Sequence, residues 1–171
     1  MSLLIVNAAE RDTQQVQRAI ELLTQTTPEH QVIDAAGMDI RPCMGCYVCM
    51  LKTPGLCAIR DDYHTLMEAY VRADDIVFLF DTALDFVNHK AKNIVDRMFP
   101  LISLLTQYVS GEIRHIPRYP RQRRIGVLYT GSADRDHMTF WVERVAKNMM
   151  GTSLEARPVE EAEEMCAWIL S

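Results

Sequence analysis

Four cysteines, Cys43, Cys46, Cys49 and Cys57, are the residues of this chain whose spacing best suits chemistry. Two residues separate each of the first three, and seven separate the third from the fourth. Three thiolates so close together, with a fourth after a short loop, can converge on one centre. Gly45 and Gly55 permit the backbone turns that such wrapping requires. The first three match the cysteine spacing of bacterial iron–sulfur runs, although the fourth arrives later and Ala58 stands where proline is usual. Three readings stay open: an iron–sulfur cluster, a four-thiolate zinc site, or metal-free thiols beside an active site. Arg41, Lys52 and Arg60 flank the loop and would offset thiolate charge.

The elements around this loop alternate. Leu3–Val6, Ile76–Phe80 and Ile125–Tyr129 are short apolar runs of the kind found in strands buried on both faces. Gln31–Asp34 and Ser153–Ala156 are weaker strand candidates. Val16, Ala19, Ile20 and Leu23 recur at helical spacing behind Asp12 and Gln15, a capping-box pair. Asp62 is placed to cap a helix on which Tyr63, Leu66, Met67, Tyr70 and Val71 share one face. A third helix is expected from about Lys90 to Tyr108, ended or kinked by Pro100. Met138, Trp141, Val142, Val145 and Met149 mark a fourth, stopped near Gly151, and Pro158 can start a fifth that places Cys166 on its apolar stripe. The pattern predicts an α/β chain, a doubly wound five-stranded parallel sheet, in one domain over residues 1–171 with a cysteine-rich loop at 43–57.

Composition excludes several classes. A net charge of −5 argues against a general nucleic-acid binder. The start of the chain lacks the basic and long apolar regions of a secretion signal, and no stretch reaches membrane-spanning length. Five cysteines without such a signal argue against a disulfide framework, so the expectation is a cytoplasmic globular protein without membrane or nucleic-acid partners. Arg114–Arg124 holds five arginines and reads as a solvated loop, or alternatively as a phosphate-contacting or partner-binding segment. Asp12, Asp134 and Asp136 precede helices and suit capping.

The stretch from Pro42 to Asp62, Pro-Cys-Met-Gly-Cys-Tyr-Val-Cys followed by Gly-Leu-Cys-Ala-Ile-Arg-Asp-Asp, resembles NADPH-dependent FMN reductases and especially iron–sulfur flavoproteins. Ala73-Asp-Asp-Ile-Val-Phe resembles that family's third strand, and Lys92-Asn-Ile-Val-Asp-Arg97 its Lys-x-φ-x-Asp-Arg helix motif, where φ is apolar. The resemblance implies a flavodoxin-like sheet of order 2-1-3-4-5, with FMN beyond the C-terminal strand ends. It implies NAD(P)H or a protein as electron donor, and a homodimer or homotetramer that meets through the cysteine loop and the helix after Asp81. Three loops should line the flavin site: 7–13, 81–90 and 130–137. On this resemblance Arg11 and Thr13 are the phosphate contacts, and Asp81, Thr82, Ala83, Leu84, Asp85, Thr130, Gly131 and Ser132 border the ring. Cys43, Cys46, Cys49 and Cys57 are the metal ligands if a metal is held.

The chain departs from the family pattern in two loops. Asn7-Ala8-Ala9-Glu10-Arg11-Asp12-Thr13 lacks the family's glycine and serine, and Ala83 and Asp85 stand where the family has an aromatic and a glycine. Both changes predict FMN binding weaker than is usual for such proteins. The expected function is an FMN-dependent oxidoreductase. The alternative is a non-enzymatic binding or electron-relay module with a degenerate flavin pocket.

Overall fold

The computed structural model describes residues 1–11 and 13–171. The chain starts with β1 (Leu3–Asn7), α1 (Gln14–Thr26) and β2 (His30–Asp34), and then passes through the cysteine loop, which carries the short α2 (Val48–Leu51). Next come α3 (Tyr63–Arg72), β3 (Asp75–Ala83), β4 (Phe86–Val87) and α4 (His89–Asp96). A single 3-10 turn at Phe99–Leu101 leads into β5 (Ile102–Val109) and β6 (Glu112–Pro117). The chain closes with β7 (Arg124–Thr130), α5 (Arg135–Asn148), β8 (Thr152–Pro158) and α6 (Ala162–Leu170).

The five long strands pair in parallel in the order β2-β1-β3-β7-β8, and β4 folds back antiparallel on the end of β3. This is the doubly wound, flavodoxin-like 2-1-3-4-5 order expected from the sequence. Strands β1, β3 and β7 are buried nearly throughout because helices cover both faces. One core, with Leu4, Val6, Phe78 and Phe80 on the sheet, meets α3, α4 and α5. The other, with Leu3, Ile5, Val77 and Leu79, meets α1 and α6. Alternate residues of one strand thus feed opposite layers.

The strand expectations hold at all five places. The third-helix expectation does not. The helix ends at Asp96, and the residues up to Tyr108 turn instead into the two-stranded β5–β6 sheet. Ile102 to Val109 includes the β-branched and aromatic residues Ile102, Thr106, Tyr108 and Val109, and Ser110 and Gly111 both take positive φ (51° and 86°), the two-residue turn that matches strand twist. α1 is capped by Thr13, whose Oγ1 accepts from the Val16 N–H at 3.2 Å, while Asp12 of the expected capping box lies outside the described residues. Asp62 precedes α3 without a side-chain cap bond, and Asp61 accepts from the Tyr63 N–H instead.

The arginine segment is neither a loose loop nor a free basic patch. Arg123 is buried and donates to the carbonyls of Tyr70 (2.9 Å) and Val71 (2.8 Å) at the end of α3. Arg124 donates to the Trp168 and Ile169 carbonyls at the end of α6 and grips Asp75 with two nitrogens at 2.7 and 2.8 Å. Arg114 reaches the Lys147 carbonyl in the last turn of α5 at 3.0 Å. Three guanidiniums therefore donate to carbonyls at three helix C-termini, where positive charge is also favoured by the dipole.

Gly151, between α5 and β8, has no room for a side chain: a Cβ there would overlap the Arg123 carbonyl oxygen. Gly151→Ala should cost at least about 1–3 kcal/mol, since a backbone atom must give way. Urea denaturation should show the loss as a lower midpoint with unchanged slope.

Candidate functional site

Two neighbouring regions carry the predicted site residues. The first is the C-terminal edge of the sheet, where the ends of β1, β3 and β7 meet. Asp81 closes β3 and is buried (6% exposed). One carboxylate oxygen accepts from the backbone N–H groups of Glu10 (2.7 Å) and Arg11 (3.2 Å), and the other accepts from the Thr130 hydroxyl at 2.5 Å. Thr82 donates to the Thr130 carbonyl at 2.8 Å, so β3 and β7 stay joined to their tips.

Beyond Thr82 the second loop is a β-hairpin. Ala83 is exposed and pairs with Phe86 of β4, and Leu84 and Asp85 form the tip with positive φ at both residues (53° and 59°). Leu84 is fully exposed there, an unusual setting for a large apolar residue in a conformation that favours glycine or asparagine. Gly131 takes φ +84°, and a Cβ on it would stand 2.6 Å from the Thr82 hydroxyl oxygen. Close approach of the third loop to the second thus requires glycine at this position. Ser132 is exposed beside it, Arg11 is exposed on the first loop, and Thr13 is committed to capping α1. Asp134 caps α5 by accepting from the His137 N–H at 2.9 Å, as its sequence position suggests. Phe86 and Trp141 meet edge to face at 5.4 Å, with the His137 ring also 5.4 Å from Phe86.

The second region is the cysteine loop. All five cysteines are free thiols, and Cys43, Cys46, Cys49 and Cys57 line one small cavity of about 50 Å³ with Tyr47, Ile59 and Phe99. Burial pushes the Cys49 thiol up, and the nearby Cys57, Cys43 and Cys46 push it the same way. Among the described residues, however, no three histidine, cysteine or acidic side chains stand together as a metal-holding group. The donor chemistry suits a tetrathiolate centre, but the expected convergence on one point is reduced here to a shared cavity.

Arg97 anchors this loop, a role that the Lys-x-φ-x-Asp-Arg motif alone does not reveal. Its side chain is fully buried, pairs with the equally buried Asp61, and donates to the Arg41 carbonyl (3.1 Å) and to Cys57 Sγ (3.3 Å). Its guanidinium lies over the Tyr63 ring at 4.4 Å. Burial alone would raise the Asp61 carboxyl. The hydrogen bonds from Arg97 and from the Arg41 and Tyr63 N–H groups outweigh that, and its pKa falls below the usual carboxylate value. The only sequence signal for this clamp is an arginine placed where a helix should be apolar.

No family model matches the chain. A curated iron–sulfur flavoprotein of Methanocaldococcus jannaschii is 29% identical over 86 residues, a match that takes in 50% of this chain and 44% of that protein. Among solved structures, RosB with a bound 8-demethyl-8-formylriboflavin-5'-phosphate superposes with a TM-score of 0.66 at 17% identity, covering 92% of this chain and 65% of that one. The NAD(P)H:quinone oxidoreductase of Methanothermobacter marburgensis gives 0.61 at 14% identity, covering 99% of this chain and 95% of that one. The fold, a flavodoxin-like doubly wound sheet, is shared with these solved structures. At this edge Ala83, Gly131 and Ser132 are exposed, and the amides of Glu10 and Arg11 are already given to Asp81.

Breaking the Arg97 clamp should be costly. Arg97→Met would leave Asp61 buried without its partner, a loss of about 3–5 kcal/mol. A carboxyl held below its unfolded value stabilises above that value and loses the contribution as pH falls through its folded value. The variant should therefore show a weaker acid-side decline in stability than wild type, read by denaturant unfolding from neutral to acidic pH. Cys57 should also become more reactive to thiol reagents.

Proposed function

We propose that this chain is a flavin-dependent oxidoreductase that binds FMN noncovalently at the C-terminal edge of the sheet and takes electrons from NAD(P)H or a protein donor. The observation that carries the reading is the meeting of three loops there, two of them reduced to small residues at Ala83 and Gly131, in a flavodoxin-like sheet. The names of the similar proteins support it, since one holds a flavin phosphate and another is an NAD(P)H:quinone oxidoreductase. The bound flavin would supply the electron-transfer chemistry, and the chain would supply position and exclusion of water.

On this reading Arg11 and Thr13 lie beside the phosphate end, and residues 81–85 and 130–132 border the ring. The rigid β3–β4 hairpin holds Ala83 and Asp85 in place, and Thr82 ties it to β7. The four cysteines form a second redox element beside this edge. Their spacing and shared cavity are what favour an iron–sulfur cluster, and the loop would need to close around it to bring the thiols together. Among the described residues no helix is long and apolar enough to cross a membrane. Exposed Leu105, Tyr108 and Ile113 on the β5–β6 hairpin, with Met44 and Leu51 on the cysteine loop, support a homodimer or homotetramer.

Ala83 forgoes an aromatic contact worth about 0.5–1.5 kcal/mol beyond area burial, and Asp85 adds negative charge near the ring. FMN should therefore bind weakly, with a dissociation constant of about micromolar order, since each loss of about 1.4 kcal/mol is tenfold. Quenching of flavin fluorescence would measure it, and Ala83→Tyr with Asp85→Gly should tighten it. Addition of NAD(P)H to the anaerobic complex should bleach the visible flavin band. Wild type that keeps stoichiometric FMN through dialysis would overturn the weak-binding account.

Protein prepared without oxygen should carry iron, and Cys46→Ser should lose most of it. Metal-free wild type from the same preparation would remove the cluster from the reading.

A further inference from the structure

We propose that Asp81 is an internal anion seated where a flavin phosphate would bind, so that this site takes a phosphate-free flavin such as riboflavin in preference to FMN. The inference rests on the flavin reading above, which it deepens by naming the charge of the ligand.

Backbone N–H groups on the turn between a strand and the following helix form a ready anion seat in doubly wound sheets. In this chain the turn after β1 presents the N–H groups of Glu10 and Arg11, and both point at one carboxylate oxygen of Asp81, at 2.7 and 3.2 Å. The carboxylate is held from behind as well, because its second oxygen accepts from Thr130 and the Asp81 carbonyl accepts from the Asn88 N–H at 3.0 Å. Its burial at 6% exposure leaves no wet route by which it swings aside at low cost. Of the nearby cations, Arg11 stays exposed and Lys90 is engaged. Lys90 lies 4.0 Å from a Glu10 carboxylate oxygen and donates to the Ala36 carbonyl. Asn88 holds the other Glu10 oxygen at 3.3 Å, fixing the same turn from its outer side.

Each N–H has one proton to give. A carboxylate built into the chain competes for it at a high local concentration that a free ligand must exceed. A phosphate that displaced Asp81 would then sit against two nearby carboxylates, Asp81 and Glu10, in a partly dry site where like charges repel more than in water. A ligand that ends in hydroxyl groups avoids both penalties, because a hydroxyl can donate to the Asp81 and Glu10 oxygens without displacing either. The exposed small residues at Ala83, Gly131 and Ser132 make no demand on charge, so discrimination falls on the phosphate end. Asp81 is thus a specificity-determining residue, set at the tip of β3 by the sheet itself.

The test has two arms on the full chain. In the first, inorganic phosphate is titrated into nitrogen-15-labelled protein while the amide signals of Glu10 and Arg11 are followed. Wild-type signals should stay in place, and those of Asp81→Ala should move saturably. In the second arm, riboflavin and FMN are titrated by fluorescence quenching. Wild type should bind riboflavin at least as tightly as FMN, and Asp81→Ala should shift the preference toward FMN by tenfold or more. Asp81→Asn, which keeps shape and removes charge, should shift it in the same direction and serves if the alanine variant does not fold. Phosphate that moves the wild-type amides, or a tenfold wild-type preference for FMN, would overturn the proposal. If neither flavin binds any of these proteins, the flavin reading fails, and the phosphate arm alone decides whether Asp81 fills an anion seat.

Discussion

The buried pair between Arg97 and Asp61 is the interaction on which the arrangement of this protein most depends. A guanidinium without solvent contact at the end of α4 is costly unless most of its donors are taken up. Asp61, the Arg41 carbonyl and Cys57 take up its two terminal nitrogens, while Nε is buried without a partner, and all three acceptors belong to the cysteine loop and its flanks. The loop is therefore fastened to a helix of the main core, with its apolar residues against Phe99 and the four thiols around one cavity. Asn93 adds a bond to the Ile40 carbonyl (3.3 Å), the Asp39 N–H donates to Asp62 (2.9 Å), and buried Met50 and Ile59 add packing, so this stretch of little regular structure is held at several points.

A similar economy governs the other charged residues. Arg114, Arg123 and Arg124 close three helix C-termini, and Arg118 closes the 3-10 turn through the Pro100 and Ile102 carbonyls at 3.2 Å each. Asp81 does the corresponding work for N–H groups on the first loop. Charge in this protein serves mainly to satisfy backbone groups that secondary structure leaves open. That use explains why a cluster of five arginines yields no free anion-binding face. It also explains why the sheet edge, where charge would otherwise meet a ligand, is partly self-satisfied.

The two regions lie side by side because of topology. The cysteine loop joins β2 to α3, and β3 then carries the chain back through the middle of the sheet to Asp81 and the hairpin tip. A sheet edge whose first-loop amides are taken up by Asp81 thus stands next to a patch of four thiols. Leu84, fully exposed in a left-handed turn at the rim, marks the part of this edge least satisfied by the isolated chain.

The five parallel strands and most helices were legible in the sequence, because buried strands need continuous apolar runs and covering helices need a stripe at helical spacing, while the strand order was implied only by the family resemblance. The cysteine spacing left a cluster, a zinc site and metal-free thiols all open, and the fold brings the four thiols to a shared cavity. What the sequence did not disclose depends on contacts between distant residues. A run from Ile102 to Tyr108 reads as an extension of α4 until the Ser110–Gly111 turn pairs it with β6, and pairing is a tertiary event. Arg97 and the arginines from Arg114 to Arg124 read as surface charge until the fold brings carbonyls to them from 16 to 56 residues away. Asp81 reads as one more ligand-facing acid. Only the parallel register of β1, β3 and β7 brings its carboxylate under the Glu10 and Arg11 amides, some seventy residues back along the chain. Local propensity and periodicity therefore determined the elements, and the tertiary structure decided which polar groups would be left for a ligand.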